Sequence, residues 1–367
     1  MIRPLILALA ALIALSACAP IVQQAATPGV GFQGPRLEAE DFISFDGARL
    51  AMRHWEPPNA EEGGKDPWAV IVGLHGMNDY SNAFHLAAPA WAADGIATYA
   101  YDQRGFGASP GRGIWAGDGL MTEDLRTFTA LIRQRYPHAI IAVAGVSMGG
   151  AVAIEAFASD RPPAADRLIL LGPGVWGWSN QPVPYSTALW ITAHVARSSV
   201  LNPPDFVVRN VQPTDNIQEL IHMGRDPLMI FGARTDTLYG VVGAMEHAQR
   251  QIGQIKVPVA YLAGARDKII PKGAHLRAAH HLKPTDRSAD YPNGYHLLLV
   301  DHQAPVVYRD VERFIRNPAA PLPSGAPIIP GAPTPPNVLA PTTSAASEPA
   351  TSVASDTRSG SPASSRP

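Results

Sequence analysis

Five short, almost wholly apolar runs recur through the chain: "PWAVIVGLHG", "IATYAYDQRG", "AIIAVAGVS", "RLILLGPG" and "VPVAYLAGARD". A run of this length with no polar alternation is expected of a strand buried on both faces. Stretches with helical character lie between them. "AFHLAAPAWAADG" ends at Gly95 and carries Pro89, which predicts a kink. "DGLMTEDLRTFTALIRQRYP" sets Leu125, Phe128 and Ile132 at helical spacing, and "MGGAVAIEAFASD" is rich in alanine. Ahead of them, "DFISFDGARLAMRHWEP" predicts a hairpin turning at Asp46-Gly47. Strands alternating with helices imply an α/β fold, a mostly parallel sheet covered by helices on both faces. With 367 residues, 46% of them hydrophobic, the chain can bury a large core. The net charge of −2 supplies no basic footprint and argues against nucleic acid as a partner.

The two ends differ in kind from the middle. Arg3 and the apolar stretch Leu5 to Leu15 have the order of a signal peptide, and that stretch is too short for a permanent membrane span. It closes on Leu15-Ser16-Ala17-Cys18, which resembles a bacterial lipobox and holds the single cysteine of the chain. Residues 1–17 are therefore expected to be removed and Cys18 lipidated, and Ala19 after it favours the outer membrane of a bacterial envelope. Residues 18–36 lack periodicity and are expected to be a tether. Residues 317–367 are rich in Pro, Ala, Ser and Thr and nearly free of aromatics. They predict a disordered tail, because so little apolar surface cannot offset the entropy of ordering. The folded part is bounded at 37–316.

One segment interrupts the alternation. From about 173 to 252 no clear strand is visible, although "TLYGVVGAMEHAQRQI" has helical spacing. A long insertion after a sheet strand predicts a cap over a site. Its Trp176, Trp178 and Trp190 predict an apolar wall against substrate.

Chemistry concentrates in "GVSMGG", at the seam between a buried strand and a helix. Gly145-Val146-Ser147-Met148-Gly149 has glycine at both second neighbours of a serine. The turn is tight enough that side chains at Gly145 and Gly149 would strike backbone, and it drives the hydroxyl out at the end of the sheet. A serine needs a base to act as nucleophile. His296 follows the turn signal Asn293-Gly294-Tyr295 near the end of the folded part. His302 opens the last helical segment, while His280 and His281 sit late in an expected helix and read as surface. For the orienting carboxylate, Asp267 comes just after the fifth apolar run, and Asp226 and Asp236 lie in the irregular insertion. An oxyanion hole needs two backbone N–H groups. Met148, after the serine, supplies one, and Met77 in "LHGMND" the other. His75, beside Gly76, suits loop packing. Nothing has the residue spacing of a metal site, and neither metal nor cofactor is expected.

Together "LHGMNDYSNAF", "YDQRGFGAS", "GVSMGGA", "DPLMI", "LAGARDKIIP" and "GYHLLL" resemble the α/β-hydrolase superfamily over residues 40 to 315. Within it the likeness is to the monoacylglycerol lipase/lysophospholipase-like branch, the serine aminopeptidase S33-type grouping. The resemblance implies Ser147 as nucleophile, Asp267 as acid, His296 as base, Met77 and Met148 as oxyanion donors, and a cap over the site. It implies a serine hydrolase acting on a monoacylglycerol, a lysophospholipid or a similar single-chain lipid ester, which lipidation at Cys18 would hold at a membrane. Met-Asn-Asp-Tyr after Gly76 departs from the Gly-Glu-His of many relatives, and "YDQRGFGAS" departs from Asp-x-x-Gly-His-Gly. Both bear on the pocket more than on the mechanism. Alternatives are a peptidase, thioesterase or acyltransferase with the same triad, or a non-catalytic binding lipoprotein. A peptidase would need an acidic group for the substrate amine, for which Glu219 and Asp215 are candidates.

Overall fold

The structure is a computed structural model, which describes residues 19–58, 66–202 and 210–336. Its sheet opens with β1 (Arg36–Leu37), β2 (Asp41–Ile43) and β3 (Arg49–Trp55), followed by β4 (Ala69–Leu74), β5 (Ile96–Tyr101), β6 (Ile140–Val146) and β7 (Arg167–Leu171). A separate ribbon pairs β8 (Val200–Leu201) with β9 (Ala233–Arg234), and β10 (Val259–Gly264) and β11 (Arg287–Tyr291) return to the main sheet. The strand order is β1-β2-β3-β5-β4-β6-β7-β10-β11. The first joins are antiparallel, through β3 to β5, and every pair from β5 to β11 is parallel. β4, β5 and β10 are buried at every position, as their unbroken apolar sequences require.

The helices bounded within the described residues are α1 (Ala87–Ala93), α2 (Asp118–Arg135), α3 (Met148–Ala158), α4 (Val183–Val195), α5 (Ile217–Arg225), α6 (Thr235–Gln251), α7 (Lys272–Ala279) and α8 (Ala304–Arg316). α1 and α8 cover one face with Trp91, Val307, Val311 and Phe314. α2, α3, α6 and α7 cover the other, where Leu125, Phe128 and Ile132 of α2 are fully buried. This doubly covered parallel sheet is the α/β-hydrolase fold. Pro89 makes no kink: it falls in the first turn of α1, where its missing N–H would have no partner in any case. The expected hairpin turn stands, with Gly47 at φ 80° and Asp46 accepting a hydrogen bond from the Ala48 N–H.

Several boundaries differ from the sequence expectation. α6 is not part of the cap. It packs Val241, Ala244 and Ala248 into the core beside α3, so the insertion over the sheet ends near Arg234 rather than at 252. Residues 19–36 hold no regular element before β1, yet they lie on the domain. The Gln23 N–H donates to the Trp115 carbonyl at 2.9 Å, and the Ala26 N–H to Asp46 at 2.7 Å. Asp46 is itself fixed by the buried Arg104, which also grips Asp124. The described part of the tail, 317–336, is likewise packed: Ile329 is buried, and the Asp290 N–H donates to the Pro327 carbonyl. Cys18, the segment before it and residues 337–367 lie outside the described residues.

Candidate active site

β4 is flanked by β5 on one side and β6 on the other, so the chain reverses its winding direction between β4 and β6. Ligand sites of open α/β sheets lie at the carboxyl ends of strands at such a point. Ser147 stands there, between the last residue of β6 and the first of α3, with φ 49° and ψ −115°. Such a backbone is strained for a residue with a side chain. The two glycines make it possible. A Cβ at Gly145 would sit 2.7 Å from the Gly149 carbonyl oxygen, and one at Gly149 would sit 2.4 Å from the Leu74 carbonyl oxygen. The Ser147 N–H donates to the Leu171 carbonyl of β7, which pins the turn to the sheet.

Met77 and Met148 stand on either side of this turn. The loop after β4 comes so close that a Cβ at Gly76 would lie 3.4 Å from the Ser147 Cβ. Neither the Met77 nor the Met148 N–H donates to an acceptor among the described residues. Asn78 carries the loop through φ 66° and its carbonyl accepts from the Ile230 N–H of the cap. His75 is fully buried. Its Nδ1 faces the Gly76 carbonyl at 2.7 Å and its Nε2 accepts from the Gln103 N–H at 2.9 Å. Burial lowers its pKa, in keeping with a neutral ring that serves loop packing.

Asp267 follows β10 and His296 follows β11. The structure brings them together, with His296 Nδ1 at 2.7 Å from Asp267 Oδ2. Burial alone would raise the Asp267 carboxyl. The charges of His296 and His275 and their hydrogen bonds outweigh it and hold Asp267 well below the usual carboxylate range. The Ile269 and Ile270 N–H groups donate to its other oxygen. His296 overhangs the end of β7, where a Cβ at Gly172 would lie 3.4 Å from its Nδ1. With Nδ1 turned to Asp267, Nε2 is left to face a hydroxyl. Ser147 Oγ makes no hydrogen bond among the described residues, a gap common before substrate closes the site. The competing residues go elsewhere. His302, His280 and His281 are exposed, Asp236 pairs with Arg234, and Asp226 accepts from the Tyr80 hydroxyl.

A cavity of about 220 Å³ opens beside these groups. Its wall includes Val146, Leu171 and Leu297, the chain neighbours of Ser147, Gly172 and His296, with Met223 and Met229 from the insertion. Three carboxylates, Asp79, Glu219 and Asp226, also line it, and no Lys or Arg does among the described residues. Glu219 sits between His85 and His222, at 3.2 and 3.4 Å. None of Trp176, Trp178 and Trp190 reaches this cavity. Trp176 donates to the Asn180 carbonyl, Trp178 packs on Tyr239, and Trp190 stacks on His194 at the exposed side of α4.

Residues 65–303 match the family model described as serine aminopeptidase, S33. The chain belongs to that family. It is a serine hydrolase with the α/β-hydrolase fold. The monoacylglycerol lipase of Mycolicibacterium smegmatis is 24% identical over 289 residues, 75% of this chain and 95% of that protein. The crystal structure of the Paleococcus ferrophilus monoacylglycerol lipase superposes with a TM-score of 0.58 at 21% identity, covering 73% of this chain and 99% of that one. A soluble variant of Saccharomyces cerevisiae monoglyceride lipase, solved with a substrate analog, gives 0.61 at 17% identity, with 80% and 99% covered.

In this S33 hydrolase part of the surroundings of the site is not legible in the sequence. His275 of α7 is buried and places Nε2 3.3 Å from Asp267 Oδ2, while its Nδ1 lies 2.8 Å from the Tyr261 hydroxyl. The carboxylate of Asp267 is therefore shared by two imidazoles. The signal was present as an i+8 spacing after Asp267, but only the turn at Pro271 and the helix after it give that spacing meaning. Asp79 and Asp102, in the two stretches that depart from the family pattern, are buried beside the site. Asp102 accepts from the Ser81 and Ala108 N–H groups and so ties the loop after β4 to the loop after β5.

Proposed function

We propose that this protein is a serine esterase that cleaves monoacylglycerols or similar uncharged single-chain lipid esters through an acyl-enzyme. The observation that carries this reading is the strained Ser147 beside the 2.7 Å Asp267–His296 pair. His296 Nε2 removes the proton of Ser147 Oγ as that oxygen adds to the ester carbonyl. The Met77 and Met148 N–H groups hold the resulting oxyanion. Collapse breaks the bond to the alkoxide, which His296 protonates, leaving the acyl group on Ser147. Water then enters, gives its proton to His296 and releases the fatty acid. Asp267 keeps the imidazole in the Nδ1–H form and stabilises its cation.

The substrate class follows from the cavity. Its apolar wall suits a hydrocarbon chain, and its three carboxylates would accept hydroxyl donors but repel a phosphate. A glycerol ester fits these walls better than a lysophospholipid. The same carboxylates favour a second reading, a substrate carrying an amine. The test uses fluorophosphonate labelling and a panel of monoacylglycerols, lysophospholipids and amino-acid amides. Wild type should label and turn over the monoacylglycerols, and Ser147→Ala should lose labelling and at least about 10⁴-fold in kcat. Retained turnover in Ser147→Ala overturns the mechanism, and preferential cleavage of the amides moves the substrate to the amine reading.

Lipidation at Cys18 would hold the domain at the bacterial envelope, with the outer membrane as its place. The segment before Cys18 supports this, as do the apolar side chains that α4 exposes, with Val183, Tyr185 and Val195 more than two-thirds exposed. A Cys18→Ser variant should move from the membrane to the soluble fraction with its activity intact. Unchanged membrane partition would remove the anchor from the proposal.

A further inference from the structure

Asp118, Glu155 and His247 lie far apart in the sequence, one each on α2, α3 and α6, and meet where these three helices pack over one face of the sheet. One ligand atom from each falls within 4.8 Å of the others. His247 Nδ1 is 3.0 Å from Asp118 Oδ2 and 3.8 Å from Glu155 Oε2. Tetrahedral ligands at zinc–oxygen and zinc–nitrogen distances of about 2.1 Å stand about 3.4 Å apart, so these two separations bracket the required spacing.

The Glu155 side chain is only 10% exposed, and its Oε1 is fully buried with no hydrogen-bond partner among the described residues. A buried carboxyl oxygen without a donor is costly. Asp118 and Glu155 face one imidazole, His247, and neither pairs with a Lys or Arg among the described residues. Arg126 lines the adjoining groove but is already spent on the Arg161 carbonyl, the Ser159 hydroxyl and Glu123.

We infer that Asp118, Glu155 and His247 form a divalent transition-metal site, with one imidazole and two carboxylates suited to Zn²⁺ and a fourth position open to water from the surface groove. Neutral His247 would bind through Nδ1 and leave its Nε2–H to solvent, where half of the side chain is exposed. Glu155 is eight residues along α3 from Ser147, about 12 Å by helical rise. The ion would therefore not touch the reacting atoms. It would cross-link α2, α3 and α6 and brace the helix that carries the nucleophile.

The test uses the full chain, stripped with a chelator and dialysed against micromolar Zn²⁺. Wild type should retain one more equivalent of Zn²⁺ than Glu155→Gln or His247→Ala, a comparison that subtracts binding by the other histidines of the chain. At a hundredfold excess over Kd its midpoint of thermal unfolding should rise by about 5 °C, and both variants should lose that rise. Ser147→Ala should keep the bound ion. Wild-type circular dichroism and fluorophosphonate labelling in the two variants would show that they fold. Equal Zn²⁺ retention in wild type and both variants overturns the site, as does a wild type that retains none.

Discussion

At the scale of single residues, the site depends on one carboxylate doing two tasks. Asp267 Oδ2 accepts from His296 and from His275, and its other oxygen is held by two backbone N–H groups. Its position is over-determined, so it can be changed without being displaced. In Asp267→Asn the side-chain amide would face both rings with a donor where each now meets an acceptor. His296 would lose the Nδ1–H tautomer that frees Nε2 for Ser147. The expected outcome is a fall in kcat of about 10³- to 10⁴-fold, with little change in KM, measured on a monoacylglycerol. A fall below tenfold would mean that His296 is oriented by some other group. The shared carboxylate also has a pH consequence. Its pKa is depressed in the folded state, so its stabilising contribution is present above the unfolded value of 3.8 and is lost as pH falls through the folded value.

At the scale of elements, what the sequence disclosed depended on how local each cause is. The buried strands declare themselves because both faces must be apolar, and Ser147 does so because a strand-turn-helix with two glycines is complete within a few residues. β11 did not. Its sequence, Arg-Ser-Ala-Asp-Tyr, has the polarity of a loop. It becomes a buried strand because β10 pairs with it on one side and the chain after α8 covers the other. The Ile329 N–H donates to Ser288 Oγ, and Arg287 donates to the Ala320 carbonyl. The same contact explains why a proline-rich stretch that composition assigns to disorder is ordered here. It shields what would otherwise be an open sheet edge, and prolines suit that task because they need no ladder hydrogen bonds. His275 and the cavity carboxylates were hidden for the matching reason: their partners are brought to them only by the fold. Ile329 tests the shielding role. It is 2% exposed, so Ile329→Ala should lower the unfolding free energy by about 2–4 kcal/mol in urea titrations. A change within about 0.5 kcal/mol, as for an ordinary surface site, would return the segment to a loose tail.

At the scale of the whole molecule, a net charge of −2 conceals an uneven distribution of protons. Burial raises Asp79 to about 7 and Asp301 to about 6, while Asp267 is held low. Asp79 lies in the wall of the cavity, on the loop that carries the Met77 N–H. Burial is the main cause of its shift. The charges of Asp102 and Asp226 add to it, and the hydrogen bond from the Tyr80 N–H opposes it. The unfolded value is 3.8, so between 3.8 and about 7 the folded chain keeps a proton that the unfolded chain gives up. Stability from this group is therefore complete below 3.8, declines as pH rises through that window and levels off above about 7. Asp301 slopes the same way, so the wild-type curve alone would not isolate Asp79. The difference from Asp79→Asn does, because the amide cannot titrate. Urea unfolding at pH 5, 6, 7 and 8 should show the wild type losing stability relative to Asp79→Asn as pH rises, and parallel curves would mean that Asp79 has an ordinary carboxylate pKa. The cavity responds in the opposite sense. Once Asp79 ionises beside Asp226, the wall carries more negative charge where the head group enters. Discrimination against anionic head groups should therefore sharpen across neutral pH in the wild type and not in Asp79→Asn, read as the ratio of kcat/KM for a monoacylglycerol to that for a lysophospholipid.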